Sequence, residues 1–458
     1  MSGGPVTAAV AAFVAGGGPI DDAVRERARL HVLDTLAAIV AGRDLAAGRV
    51  GRAYAVASSG DRGHGGAGGD RDTGGDRRDG VDRGGRGATI AGTSQRAALV
   101  DAVFAGAMAG HAAEVNDFMP SVFVQPGPAI VATALGVAEH RGRSGAALVR
   151  AVVVGYELAA RMPRALGAGN LRAAGLASHG VGPTFGSAAA AASLLDLPAD
   201  RIGDVLACCA QQASGSWQWL RDVEHVEKAF VFAGMGARNG LQAALLVEAG
   251  FRGVRDPFDD PAGWFHGPPF RGGDRDPDAL VAGLDRPAAL HDTATKRHPV
   301  GGPAQPAVEA LLDLLTVVDA HDVERVVIAM PGRADAFRDA AMPALNLRYL
   351  TAVILLDGRL DFEAAQSLDR FRHDEAVAAR MAAVEVVHDP DQEVGTGRDR
   401  AESARVTVTL RSGDVHERFV ASVAGYPTHP MTRAEIEAKA HELVAPHLGE
   451  RRAEQLIA

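Results

Sequence analysis

The stretch SQRAALVDAVFAGAMAGHAAEVNDFMPSVFVQPGPAIVATAL, residues 94–135, decides the reading of the fold. It begins and ends as Ala/Val-rich helical text, whose small side chains let helices approach closely. In its middle stand His111, Glu114, Asn116, Asp117 and Gln125, with Pro120, Pro126 and Pro128 around them. Counted from His111, positions 114 and 118 fall on one helical face, and Asn116 and Asp117 lie around its side. The prolines end any helix, so the acids are expected where helix gives way to loop, a frequent address for active-site groups. A solvated helix end with side-chain caps is the alternative reading.

The same small-residue helical text continues outward to about residue 252. It includes GAALVRAVVVGYELAARM (145–162), GPTFGSAAAAASLLDL (182–197) and AGMGARNGLQAALLVEAGF (233–251). After a Pro/Gly/Asp-rich passage the character changes. VERVVIAMP (323–331), AAVEVVHD (382–389) and ARVTVTLRSGDVHERFVAS (404–422) are β-branched and partly alternating, as strands are. The expected fold is therefore mainly α: a helical domain over 1–290, a smaller α+β domain over 291–424, and a helix over 425–458 that returns to the first domain. Thr432 and Glu435 are spaced as a capping box for that last helix. Residues 58–87 are almost entirely Gly, Asp and Arg, too poor in apolar surface to offset ordering entropy, and read as a flexible insertion.

Composition narrows the function. At 458 residues, two domains are expected. The net charge is −10 (47 basic, 57 acidic) with no basic block, so nucleic acid is not an expected partner. No run of about 18 apolar residues suggests a membrane span, and the N-terminus lacks the basic and apolar regions of a signal peptide. The only cysteines are Cys208 and Cys209, too few for a cluster or a disulfide framework. A cytoplasmic protein with no metal site is expected.

Three further sites break the apolar pattern. His179 precedes a Gly-rich turn and a helix of very small residues, whose free N–H groups favour an anion; a structural histidine is the alternative. Lys228 enters the apolar run AFVFAGMGA, where partial desolvation tunes a lysine for proton transfer, or where its stem merely covers the core. Lys296, Arg297 and His298 precede a Gly-Gly turn and a helix, a suitable carboxylate clamp. Together the sites suggest general acid/base chemistry on a small anionic metabolite. There is no G-x-S-x-G elbow and no Cys/His metal spacing.

Taken in order, these segments resemble the MmgE/PrpD family, which includes 2-methylcitrate dehydratase, cis-aconitate decarboxylase and iminodisuccinate epimerase. The resemblance rests on HVLDTLAAIVAG, GHAAEVNDF, GPTFGSAAAAASLLDL, VEKAFVFAGMGARNGLQAALLVEAGFRG, TKRHPVGGPAQPAVEALLDL and ALNLRYLTAVILLDG. It implies an all-helical domain with an α+β lid, an active site in the cleft between them, a homodimer, and chemistry needing no metal or organic cofactor. By this resemblance Glu114 and Asp117 are the acids of the first motif, and His179 lies on or near the second histidine position. Lys228 is the pocket lysine, Lys296 the junction lysine and Tyr349 the lid tyrosine. Arg297, His298, Gln125, Asn116 and His111 complete the expected binding set. The chain departs from the family where Asn116 precedes Asp117, and where Gln125 and Gln305 stand at positions that often carry histidine. An amide holds a carboxylate but carries no proton at neutral pH.

The expected activity is a cofactor-independent lyase of the 2-methylcitrate dehydratase or cis-aconitate decarboxylase type, abstracting a proton next to a carboxylate. A divergent member performing an epimerisation, isomerisation or cyclisation-type step on a dedicated secondary-metabolic substrate is the first alternative. A catalytically inactive metabolite-binding homologue is the second.

Overall fold

The computed structural model describes residues 4–16, 18–60, 87–254, 256–393 and 402–458. The expected insertion at 58–87 lies outside these residues except at its ends. The fold is mainly α, as the sequence indicates. Its centre is helix Ser178–Leu194, buried at every residue from Ser178 to Ala192. Gly145–Leu166 and Met235–Glu248 pack along its sides, and two glycine contacts set how closely. A Cβ on Gly186 would lie 2.7 Å from the Gly155 carbonyl oxygen, and one on Gly240 would lie 2.5 Å from that of Thr184. Only hydrogen fits at these crossings, so the Gly/Ala-rich text is a packing requirement. The run Val226–Glu248 has the length and apolarity of a membrane span, but most of it is buried inside this helical core.

A second hydrophobic core gathers around a four-stranded sheet in the order Val384–His388, Val323–Met330, Ala404–Leu410, Val415–Val420. The first pair is parallel and the other two are antiparallel. Helix Gln305–Leu314 packs on the last two strands, and Leu347–Asp357 packs beside the first. Helix Arg433–Leu448 opens with the Thr432/Glu435 capping box and packs against Asp22–Gly42. It is fastened there by Lys439, whose Nζ lies 2.6 Å from Asp34 Oδ1 and 2.8 Å from the Val115 carbonyl oxygen.

The deciding stretch differs from its sequence reading in one respect. Helix Leu99–Gly110 stops at Gly110, well before Pro120, so Glu114 and Asp117 occupy a loop and not a helical face. Gly110 is wedged against Ile39 and Pro128, and beyond it the backbone is drawn into other pairings. Phe118 and Ala294 exchange N–H···O bonds of 2.9 and 2.7 Å, and the Thr295 N–H bonds the Gly425 carbonyl at 2.8 Å. The loop is thus stitched to the chain just before Lys296. That stitching brings the two regions' polar residues together.

Candidate active site

Glu114 is the hub. The Lys228 ammonium donates to its Oε1, and the Lys296 ammonium lies 2.8 Å from its Oε2. Lys296 also donates to Gln125 Oε1 at 3.2 Å, and the same oxygen accepts from Asn116 Nδ2 at 2.9 Å. All five side chains are buried. Burial alone would raise the Glu114 carboxyl pKa; Lys228 and then Lys296 outweigh it and hold that pKa well below the usual range. Burial lowers the pKa of Lys296, against the pull of Glu114. The cluster carries two ammonium groups and one carboxylate, a net positive floor.

Above that floor opens a cavity of about 390 Å³, lined among others by Glu114, Gln125, His179, Lys228, Trp219 and Phe232. His179 stacks on Phe232 with ring centroids 3.9 Å apart, and Trp217 and Trp219 meet it edge-on at 5.7 and 5.6 Å. Burial, followed by the field of Lys228, holds His179 well below its ordinary pKa, so the imidazole is neutral. Lys228 is set by local geometry: its backbone N–H bonds Asp222 Oδ2 at 2.8 Å, and its ammonium lies over the Trp219 and Phe232 rings. A turn of π-helix, Phe230–Gly234, follows immediately, a distortion that recurs at functional sites.

The expected residues separate into three groups. Glu114, Gln125, His179 and Lys228 line the cavity, and Lys296 joins them through Glu114 and Gln125. His111 and Asn116 sit behind this layer. His111 Nδ1 lies 3.2 Å from His225 Nε2 and its ring packs on Phe232, and burial then His225 hold its pKa low. The others belong to different networks. Asp117 accepts from Tyr156 Oη at 2.6 Å, pairs with His31 Nδ1 at 2.9 Å, and caps helix Gly127–Arg141 through the Gly127 N–H at 2.9 Å. Gly127 is required for that approach, since a Cβ there would lie 2.6 Å from Asp117 Oδ1.

The basic triplet divides at the bend that begins at Arg297. Lys296 turns inward, whereas Arg297 and His298 both reach Glu309, at 3.2 and 2.7 Å. An internal carboxylate therefore occupies two arms of the expected clamp. Tyr349 lies in the second core, where its hydroxyl donates to the Ala364 carbonyl at 2.6 Å and burial pushes its pKa up to about 12. Gln305 accepts from the His298 N–H at 3.0 Å and donates to the His298 and Val300 carbonyls at 2.7 and 2.9 Å. It clamps a turn outside the cavity lining.

Sequence reasoning missed His225, Trp217 and Trp219. His225 Nε2 lies 3.5 Å from Glu114 Oε1, and burial then Lys228 push its pKa down to about 3. Its left-handed φ of 62° is unusual for a non-glycine residue and is invisible in sequence. The tryptophans left a signal, since two of the chain's three stand in the tetrapeptide SWQW just before Lys228. His111, Glu114 and His225 bring three possible metal donors within 4.8 Å of one another. The Lys228 ammonium already occupies Glu114 Oε1, however, and a cation there would face its repulsion.

Residues 78–268 match the MmgE/PrpD N-terminal domain and residues 298–458 match the MmgE/PrpD C-terminal domain. Among curated proteins, the cis-aconitate decarboxylase-like protein oryM of Aspergillus oryzae (strain ATCC 42149 / RIB 40) is similar. It is 25% identical over an alignment of 380 residues that covers 76% of this chain and 76% of the relative.

Proposed function

This chain belongs to the MmgE/PrpD family, and from that premise we propose that its cavity performs acid/base proton abstraction next to a carboxylate. The reading assigns it to lyases of the 2-methylcitrate dehydratase or cis-aconitate decarboxylase type. The observation that carries it is the convergence of Lys228 and Lys296 on Glu114 at a cavity that His179 also lines. A substrate carboxylate is held at this cationic floor, with Gln125 beside it. His179 takes the proton from the adjacent carbon, and the electron pair left behind spreads onto the carboxylate oxygens. The two ammonium groups stabilise that charge, and they do so best where water is excluded.

Burial and then the field of Lys228 lower the His179 pKa. A substrate carboxylate held beside the ring opposes the second of these and makes the imidazole a stronger base. The enolate-like intermediate then expels a β-substituent or takes back a proton, with Glu114 and Lys228 able to relay it. The region over 291–424 acts in this reading as a lid over the cavity.

A second reading is favoured by Gln125, an acceptor for Lys296 and Asn116. An amide delivers no proton to a leaving group. A step that only removes and returns a proton, such as epimerisation of a dedicated substrate, needs no acid at that position.

The deciding experiment is ¹H NMR of the protein in D₂O with methylcitrate, citrate, cis-aconitate and related diacids. Deuterium entering one carbon next to a carboxylate is the expected result, with product loss or stereochemical scrambling separating the two readings. Lys228→Ala retaining near-full turnover on the exchanging substrate would remove the assignment.

A further inference from the structure

We propose that the substrate carries, beside its carboxylates, an apolar substituent lying between Trp217 and Phe123 and reaching the rim at Leu220. The inference rests on the proton-abstraction reading for the carboxylate end and adds the chemistry of the other end. Of the polar groups that line the cavity, Glu114, Lys228 and Gln125 form one hydrogen-bonded cluster through Lys296, and Arg172, Arg333, Glu393 and Glu402 line it as well. Much of the rest of the lining is apolar, with Phe118, Met119, Trp217, Phe123, Leu220 and Phe337.

Two of these side chains stand at the rim in a way that core packing does not explain. Leu220 is 53% exposed and Phe123 is 41% exposed, large apolar groups facing solvent and cavity together. Phe123 also holds a φ of 53°, a left-handed conformation that glycine or asparagine takes at less cost. Its carbonyl is fixed by the Ser178 hydroxyl at 2.8 Å. Such strain persists only where the surrounding structure imposes it, and it clusters at ligand sites. Trp217, also in the lining, is held by its Nε1 donating to the Leu176 carbonyl at 3.0 Å, with the Arg172 guanidinium 5.1 Å from its ring centroid. Its ring is a fixed platform.

A compact polycarboxylate bearing charge on every side would set carboxylates against the apolar faces of Trp217, Phe123 and Phe337, which offer them no hydrogen bond. Arg333 forks onto Asp335 at 2.9 and 2.8 Å, and Arg172 lies over the Trp217 ring with its N–H groups open to one further carboxylate at the mouth. A carboxylate head at the lysine floor with an alkyl or aryl substituent along the aromatic wall satisfies both ends, the usual division of labour in a small-molecule pocket.

The test is calorimetric binding of succinate, 2-methylsuccinate, 2-propylsuccinate, 2-hexylsuccinate and benzylsuccinate to the full-length protein. Affinity is expected to rise about fourfold per methylene until the cavity is filled, with benzylsuccinate at least tenfold tighter than succinate. Leu220→Asp, at an exposed position that tolerates a charge, is expected to lower the hexylsuccinate-to-succinate affinity ratio at least tenfold. Affinity that is flat or falls with substituent size overturns the inference while leaving the head-group reading in place. Binding of no member overturns both.

Discussion

Lys296, two residues beyond the Ala294 bridge, places its ammonium 2.8 Å from Oε2 of Glu114, which the loop after helix Leu99–Gly110 supplies. The pair joins the helical region to the chain leading into the sheet. Lys296→Met keeps the volume of the stem and removes the charge. One of two ammonium groups then remains to stabilise the developing negative charge, a loss comparable to removing one oxyanion donor. Turnover is expected to fall about 10²–10³-fold, while Glu114 stays paired with Lys228 and the protein stays folded. Steady-state kinetics beside a thermal melt checks this, and turnover within tenfold of the parent would contradict the role.

Asp117 sits three residues from Glu114 but its three partners are Tyr156, His31 and the Gly127 N–H. Asp117→Asn keeps the shape and removes the charge-assisted bonds. Destabilisation of about 1–3 kcal/mol is expected, with turnover at low temperature within tenfold of the parent. Glu114→Gln gives the opposite pattern, turnover falling about 10²–10⁴-fold. Equal kinetic losses in the two variants would return Asp117 to the chemistry.

The contrast between these two acids marks how far the sequence is legible. Helix-forming text, small-residue packing, the strands and the Thr432/Glu435 cap are local properties, and each is readable from spacing and composition. That Glu114, His179 and Lys228 belong together is also readable, because polar residues inside apolar text are few and need a reason. Their directions are not local. Whether Asp117 or Glu114 faces the cavity depends on where Gly110 ends a helix and on the Phe118–Ala294 bridge, a contact between distant parts of the chain. Likewise, Arg297 and His298 turn toward Glu309, eleven or more residues away, which spacing alone does not indicate.

The buried histidines give the fold an acid sensitivity of definite sign. The folded chain withholds protons from His111, His179 and His225, while the unfolded chain takes them up below the ordinary pKa of 6.5. The unfolded state then binds more protons, so this stability is fully present above about pH 6.5 and is lost as pH falls. Each histidine contributes a slope of about 1.4 kcal/mol per pH unit, which for His225 continues to about pH 3. Glu114, also held low, adds to the loss below its ordinary 4.5. Urea midpoints measured from pH 8 to pH 5 should begin to fall near 6.5, and His225→Asn, a residue that tolerates the left-handed φ, should reduce the slope. A flat profile down to pH 5 would mean that these imidazoles are already charged or solvated in the fold.

Tyr349 separates what the family resemblance implies from what this geometry does. Its hydroxyl is spent on the Ala364 carbonyl, in the core around the sheet and away from the cavity lining. Tyr349→Phe removes that bond and leaves a buried carbonyl with one partner fewer. A stability loss of about 1–3 kcal/mol follows, and kcat should remain within threefold of the parent at temperatures where both proteins are folded. A thermal melt and steady-state kinetics on the same preparation decide the matter. If kcat falls a hundredfold while the melt barely moves, Tyr349 must leave Ala364 during turnover and enter the site, so the catalytic arrangement would differ from the one described.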